Sequence, residues 1–275
     1  MKRAVTTVIF RRFPSHSSIF FGIVRRICYF RFLMGKKLYI LVLCVGFWFC
    51  SFGQKTVSFR AVDNLTINAD YYETFAESNK YMLMFHQAEY SRGEFQQIAE
   101  RMIKLDFNCL AVDLRYGKEV NFVNNETAEQ ARQNKMNVTL LSCEKDIEAA
   151  INYIQTNDPS ALIFLMGSSF SASLCLKIAK DRDDIKAVIA YSPGEFFNTL
   201  SIAEYIKGLK TPTYIGCTQT EYPYVKDMTA GIEASKFVIY KPDGGNGKHG
   251  VETLWWDSDT REECWLSLMF FLKDF

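Results

Sequence analysis

The sequence predicts an α/β domain built on a mostly parallel, twisted sheet with helices on both faces. Two patterns carry that expectation. Short, near-continuous apolar runs alternate along the chain with longer segments whose apolar residues recur at helical spacing. Strands covered on both faces read as such continuous runs, whereas a one-sided sheet would alternate apolar with polar. No internal repeat and no linker rich in Pro, Gly or Ser interrupts the alternation, which points to a single domain.

The elements follow in order. "KTVSFRAV" and "LTINADYY" flank Asp63–Asn64 and read as an N-terminal antiparallel hairpin. "YMLMF" (81–85) is a buried strand, and "GEFQQIAERMIKL" (93–105) is a helix with Phe95, Ile98, Met102 and Ile103 on one face. "NCLAVDL" (108–114) is the next strand. A polar loop runs to about Asn125, and "ETAEQARQNK" is a short helix. "CEKDIEAAINYIQ" (143–155) repeats Ile147, Ala150, Ile151 and Ile154 at helical spacing. "ALIFLM" (161–166) is a strand followed by a tight turn and a helix from about Phe170 to Lys180. "KAVIAY", "TPTYIGC" and "KFVIY" are three further strands with helical stretches between them, and "TREECWLSLMFFLKDF" closes the chain.

The N-terminus is set apart by charge. No Asp or Glu precedes Asp63, while residues 1–53 carry nine Lys or Arg. The remainder has 23 basic and 31 acidic residues, a net charge of −8, which argues against a nucleic-acid partner. Lys36 and Lys37 followed by the 13-residue apolar run Leu38–Cys50 and the small residues Ser51 and Gly53 have the form of a secretory signal. The run is too short for a comfortable membrane span. We therefore expect an upstream extension at 1–33, a signal peptide at 34–53 starting at Met34, and a mature domain at 54–275. Cleavage would release it, secreted or periplasmic, with no stable membrane insertion; the alternative is an uncleaved N-terminal membrane anchor. The five cysteines left, Cys109, Cys143, Cys175, Cys217 and Cys264, form neither a disulfide framework nor a zinc pattern.

The turn after "ALIFLM" carries the chemistry. Ligands of a parallel sheet sit outside the carboxyl ends of its strands. Gly167-Ser168-Ser169-Phe170-Ser171 matches the nucleophile-elbow pattern G-x-S-x-G except that Ser171 stands for the last Gly. Ser169 is the candidate nucleophile, and the other reading is an ordinary helix cap. A P-loop is excluded because no Gly-Lys-Ser/Thr follows. A nucleophilic Ser needs a His and an acid, here in the order Ser, acid, His. Of the three histidines only His249 lies downstream. Glu221, shortly after the strand "TPTYIGC", is preferred as the acid over Asp227; Asp243 reads as a turn residue.

Together, GSSFS, the order Ser169, Glu221, His249, and "FHQAEYSRGEF" after the third strand resemble the α/β-hydrolase superfamily, in particular its small dienelactone-hydrolase-like members. The resemblance spans about residues 56–275. It implies that Ser169 attacks an acyl carbonyl, His249 shuttles the proton and Glu221 orients the imidazole. It also implies an oxyanion hole from the N–H of Phe170 and one from Gln87 or Ala88, with His86 structural. In the superfamily the loop begins His-Gly; here Gln87 replaces the Gly. The expected activity is hydrolysis of a small-molecule carboxylic ester without metal or organic cofactor. A peptidase or acyltransferase on the same scaffold, and a non-catalytic binding protein, are the alternatives. The short chain leaves room for little or no cap. Tyr90, Tyr116, Phe122, Phe196, Phe197, Tyr222 and Tyr224 are candidate rim residues. Arg92 and Arg115 read either as anchors for a substrate carboxylate or as loop-anchoring ion pairs.

Overall fold

The computed structural model describes residues 54–275. The proposed signal peptide, the start at Met34 and the upstream extension lie outside the described residues. Eight strands form the main sheet: β1 (Gln54–Arg60), β2 (Thr66–Tyr72), β3 (Lys80–Phe85), β4 (Asn108–Val112), then β7 (Leu162–Ser168), β8 (Ile185–Tyr191), β9 (Thr213–Gly216) and β10 (Phe237–Tyr240). Between β4 and β7 a two-stranded ribbon, β5 (Glu119–Val120) and β6 (Val123–Asn124), occupies the loop that the sequence left irregular. The order in the main sheet is β1-β2-β4-β3-β7-β8-β9-β10. From β4 to β10 every neighbour is parallel; β1 and β2 are the antiparallel hairpin, and β2 joins β4 antiparallel.

Alternation along each strand splits the core in two. Leu83, Phe85, Leu110, Val112, Leu165, Val188, Ala190 and Ile215 face one layer. Met82, Met84, Cys109, Ala111, Phe164, Met166, Ile189 and Tyr214 face the other. The first layer is covered by α3 (Glu144–Asn157), through Ile147, Ile151 and Ile154, and by α4 (Phe170–Asp181), through Leu174, Cys175 and Ile178. The second is covered by α1 (Gln96–Met102) and α7 (Arg261–Leu272), the latter through Trp265, Leu268 and Phe271. The remaining helices, α2 (Glu126–Gln133), α5 (Ile202–Tyr205) and α6 (Tyr222–Met228), sit in connections. This is the mostly parallel sheet between helical layers, with an antiparallel edge hairpin, that the resemblance to α/β hydrolases implies. Among the described residues the five cysteines form no disulfide and all are buried. Among the described residues no helix is long and apolar enough to cross a membrane.

Strand β7 runs two residues beyond the apolar run, through Gly167 and Ser168, before the chain turns into α4. Gly167 is what lets the helix approach. A Cβ there would lie 2.5 Å from the backbone N and Cα of Ala172. Backbone cannot yield as a flexible side chain does, so Gly167→Ala should push α4 off β7. Overpacking of this kind costs roughly 1–3 kcal/mol. We expect a lower urea midpoint with an unchanged slope; a midpoint equal to wild type would contradict the close approach.

Candidate active site

The parallel register brings the carboxyl ends of neighbouring strands level. Phe85 at the end of β3 lies opposite Gly167, Ser168 opposite Tyr191, and Tyr191 opposite Gly216. The residues that follow these ends converge at one rim of the sheet.

Ser169 occupies the corner between β7 and α4 with φ 60° and ψ −122°. A non-glycine residue reaches this region only where the surroundings over-determine it. Here the Ser169 N–H donates to Tyr191 O at 2.8 Å, and Ser169 O accepts from Ala172 N–H at 3.0 Å. Ser171, which replaces the second glycine of the elbow pattern, adds a third restraint. Its Oγ accepts from the Ser168 N–H at 2.9 Å and donates to Phe85 O at 2.6 Å, tying the elbow to the end of β3. The substitution thus adds a link across the elbow, and Ser171 stays fully buried. Ser169 itself is 7% exposed, and its hydroxyl has no hydrogen-bond partner among the described residues.

Glu221 and His249 meet: His249 Nδ1 lies 2.5 Å from Glu221 Oε1. A carboxylate on Nδ1 fixes the tautomer with the proton there and leaves Nε2 as the basic nitrogen. The second carboxylate oxygen, Oε2, accepts from Ser192 Oγ at 2.7 Å and from the Thr218 N–H at 3.0 Å. Burial alone would raise this carboxyl, but the hydrogen bonds from His249, Thr218 and Ser192 outweigh it and hold it at about 2. Asp227, the alternative acid, lies exposed on α6, and Asp243 pairs with Lys241. Ser192, directly after β8, also accepts the Gly250 N–H at 2.9 Å, so one hydroxyl holds both the acid and the residue next to the histidine.

The histidine loop is seated on the elbow. The Val251 N–H donates to Ser168 Oγ at 3.1 Å. Gly250 has φ 65°, and a Cβ there would come within 2.3 Å of Ser168 Oγ, so only glycine fits beside His249. Ser168, one place before the candidate nucleophile, is therefore a buried fastener rather than an attacking group.

The loop after β3 holds the remaining donors. His86 is fully buried. Its Nε2 accepts from the Leu114 N–H at 2.9 Å, which leaves Nδ1 to donate to Gln87 O at 2.7 Å. Burial holds this imidazole down at about 4, so it is neutral and structural, as expected. The Gln87 N–H, one of two loop candidates for the oxyanion hole, donates instead to Glu94 Oε2 at 2.8 Å. It is thus not free. The Ala88 N–H has no acceptor among the described residues, nor has that of Phe170 at the start of α4.

Arg92 and Arg115 resolve as ion pairs. Arg92 Nη1 and Nη2 engage Asp113 at 2.5 Å and Glu126 at 2.8 Å. Arg115 bridges Asp63 at 2.6 Å and Asp146 at 2.7 Å. Both are buried and occupied, which removes them as anchors for a substrate carboxylate. Of the rim aromatics, Phe122 is fully exposed and Phe197 is buried in the core; Tyr90 Oη donates to Glu252 at 2.7 Å and Tyr224 Oη accepts from the Glu195 N–H at 2.7 Å. Among the described residues no group of three or more His, Cys, Asp or Glu could hold a metal ion.

The sequence points to neither Ser192 nor Glu94, and to Ser171 only as a departure from the elbow pattern. Ser192 carried a usable signal, a small polar residue directly after an apolar strand. Glu94 carried one too, a carboxylate inside the apolar face of the segment 93–105. Burial raises Glu94 from 4.5 to about 8, against the hydrogen bonds from Gln87 and Ser168 and with the Glu252 charge adding to the rise. A carboxyl raised on folding stabilises fully below its unfolded value and loses that contribution as pH climbs. Stability should fall between pH 4.5 and 8, and Glu94→Gln should flatten that fall in thermal melts. An identical pH slope in both proteins would contradict the assignment.

Comparison with known proteins agrees with this architecture. The family model described as "Dienelactone hydrolase family" matches residues 71–235. No curated protein matches the sequence significantly. Among solved structures, the Pyrococcus furiosus esterase Pf2001 aligns with a TM-score of 0.62 at 18% identity, over 82% of this chain and 93% of the esterase. The dienelactone hydrolase from Anabaena variabilis aligns with a TM-score of 0.61 at 13% identity, over 81% of this chain and 97% of that one. The Pyrococcus horikoshii acylaminoacyl peptidase aligns with a TM-score of 0.58 at 17% identity, over 84% of this chain and 43% of the peptidase. At these identities the structures speak for the shared fold alone. The family match covers more than half of the chain, which therefore belongs to the dienelactone hydrolase family.

Proposed function

We propose that this hydrolase is an exported serine enzyme that cleaves small carboxylic esters through an acyl-enzyme on Ser169. One observation carries the reading. The histidine whose Nδ1 is held by Glu221 belongs to a loop fastened to Ser168, next to a strained elbow serine with a free hydroxyl.

In the proposed reaction Ser169 Oγ attacks the acyl carbonyl carbon while its proton passes to His249 Nε2. Glu221 stabilises the imidazolium that forms. The tetrahedral oxyanion accepts from the N–H groups of Phe170 and Ala88, and the N-terminal end of α4 favours its charge. Collapse expels the alcohol, which takes the proton from His249. Water then repeats the sequence on the acyl-enzyme and releases the acid. Amide hydrolysis and acyl transfer use the same groups, so a panel of esters, amides and acceptor alcohols sorts the alternatives.

Kinetics on p-nitrophenyl acetate test the roles. Ser169→Ala and His249→Ala should abolish measurable turnover, and Glu221→Gln should lower kcat by roughly 10^3–10^4-fold with the fold intact. Full activity in Ser169→Ala would overturn the assignment. A well-folded wild type inert towards esters, amides and acyl acceptors would favour the binding-protein reading. Export rests on the sequence pattern before Gln54 and predicts a mature N-terminus there. Edman sequencing of protein recovered outside the cytoplasm checks it, and an intact residue 34–53 segment would contradict cleavage.

A further inference from the structure

Glu94 is the most completely buried carboxyl near the proposed site that the reaction does not use. It stands in a short helical turn before α1, yet its two oxygens reach two other segments. Oε2 accepts the Gln87 N–H at 2.8 Å, and Oε1 lies 2.8 Å from Ser168 Oγ. Ser168 Oγ in turn accepts the Val251 N–H at 3.1 Å, two residues beyond His249. One side chain therefore joins the loop after β3, the elbow and the histidine loop. Among the described residues no Lys or Arg pairs with it; the titratable groups bearing on it are Glu252 and Tyr90. Those two are themselves joined, since Tyr90 Oη and Gln87 Nε2 both donate to Glu252 Oε1, at 2.7 and 2.9 Å.

The consequence lies in the backbone of Gln87. Its N–H is held by Glu94 and its carbonyl by His86 Nδ1. With both flanking peptide units fixed, the plane of the Gln87–Ala88 peptide is fixed. Its N–H points opposite to its carbonyl because the peptide is trans. The free Ala88 N–H is thus aimed by two side chains behind the loop. Gln87 is not among the residues with positive φ, so the loop admits a side chain at this position.

We propose that Glu94 is a positioning residue of the serine hydrolase, aiming the Ala88 N–H at the oxyanion and seating the His249 loop against the elbow. The inference rests on the ester-hydrolase reading above. An unpaired carboxylate at full burial is costly, and a carboxyl raised to about 8 is mostly neutral at pH 7. A glutamine amide reproduces both the shape and the neutrality of that form.

The test is steady-state hydrolysis of p-nitrophenyl acetate at pH 7, with active sites counted by a fluorophosphonate probe. Glu94→Asp keeps the carboxyl but withdraws it by one methylene, so it cannot hold Gln87 and Ser168 together. We expect kcat to drop about 100-fold, the scale of one lost oxyanion donor, with KM within about threefold of wild type. Glu94→Gln should recover kcat to within about fivefold. Glu94→Ala should behave as Glu94→Asp if it folds, and the other two variants decide the matter if it does not. A kcat for Glu94→Asp near wild type, a loss confined to KM, or a Glu94→Gln as impaired as Glu94→Asp would overturn the proposal. Wild type that neither turns over ester nor takes the probe would instead overturn the hydrolase reading, and the positioning role with it.

Discussion

The site depends on one backbone corner. Ser169 is held in a region of φ and ψ that a serine ordinarily avoids, at a cost of order 1–3 kcal/mol. The strain persists because the strand and helix on either side are locked before it. Gly167 allows α4 to lie against β7 at backbone distance, and the Ser169 N–H is claimed by Tyr191 of the neighbouring strand. The hydroxyl at the tip has no hydrogen-bond partner among the described residues. A rigid parallel sheet thereby presents the hydroxyl of the candidate nucleophile where a looser corner would relax into an ordinary helix cap.

Around that corner the chain uses small hydroxyls as fasteners. Ser171 ties the elbow to β3, Ser168 ties it to the histidine loop, and Ser192 ties the histidine loop to the acid. Each is buried, so each must find partners, and each finds them across segments distant in sequence. Two carboxyls then have opposite environments. Glu221 receives three hydrogen bonds and is held ionised at about 2; Glu94, deeper and with no paired cation among the described residues, is raised to about 8. Such separation of two acids suits one to stabilise an imidazolium and the other to hold backbone in place.

Most of the fold was legible because a sheet buried on both faces writes its strands as apolar runs. "YMLMF" and "KAVIAY" appear within one residue of β3 and β8, and Asp63–Asn64 lies in the turn between β1 and β2. The ribbon β5–β6 was not legible, since two residues per strand show no period. Chain order singles out His249 as the one histidine downstream of Ser169, while Glu221 is preferred over Asp227 for its place shortly after a strand. The Gln87 N–H could not be excluded that way, because its acceptor, Glu94, is brought to it only by the packing of the segment 92–95 under the loop. Arg92 and Arg115 show the same limit. Charge in a loop looks available until the tertiary structure supplies Asp113 and Asp146.

The central claim is that the strained elbow residue is the nucleophile. Mapping the adduct of a fluorophosphonate on the wild-type protein, by digestion and tandem mass spectrometry, tests it most directly. One phosphonyl group per chain on Ser169 is the predicted result. An adduct on Ser168, on another residue, or on none in folded protein would contradict the account.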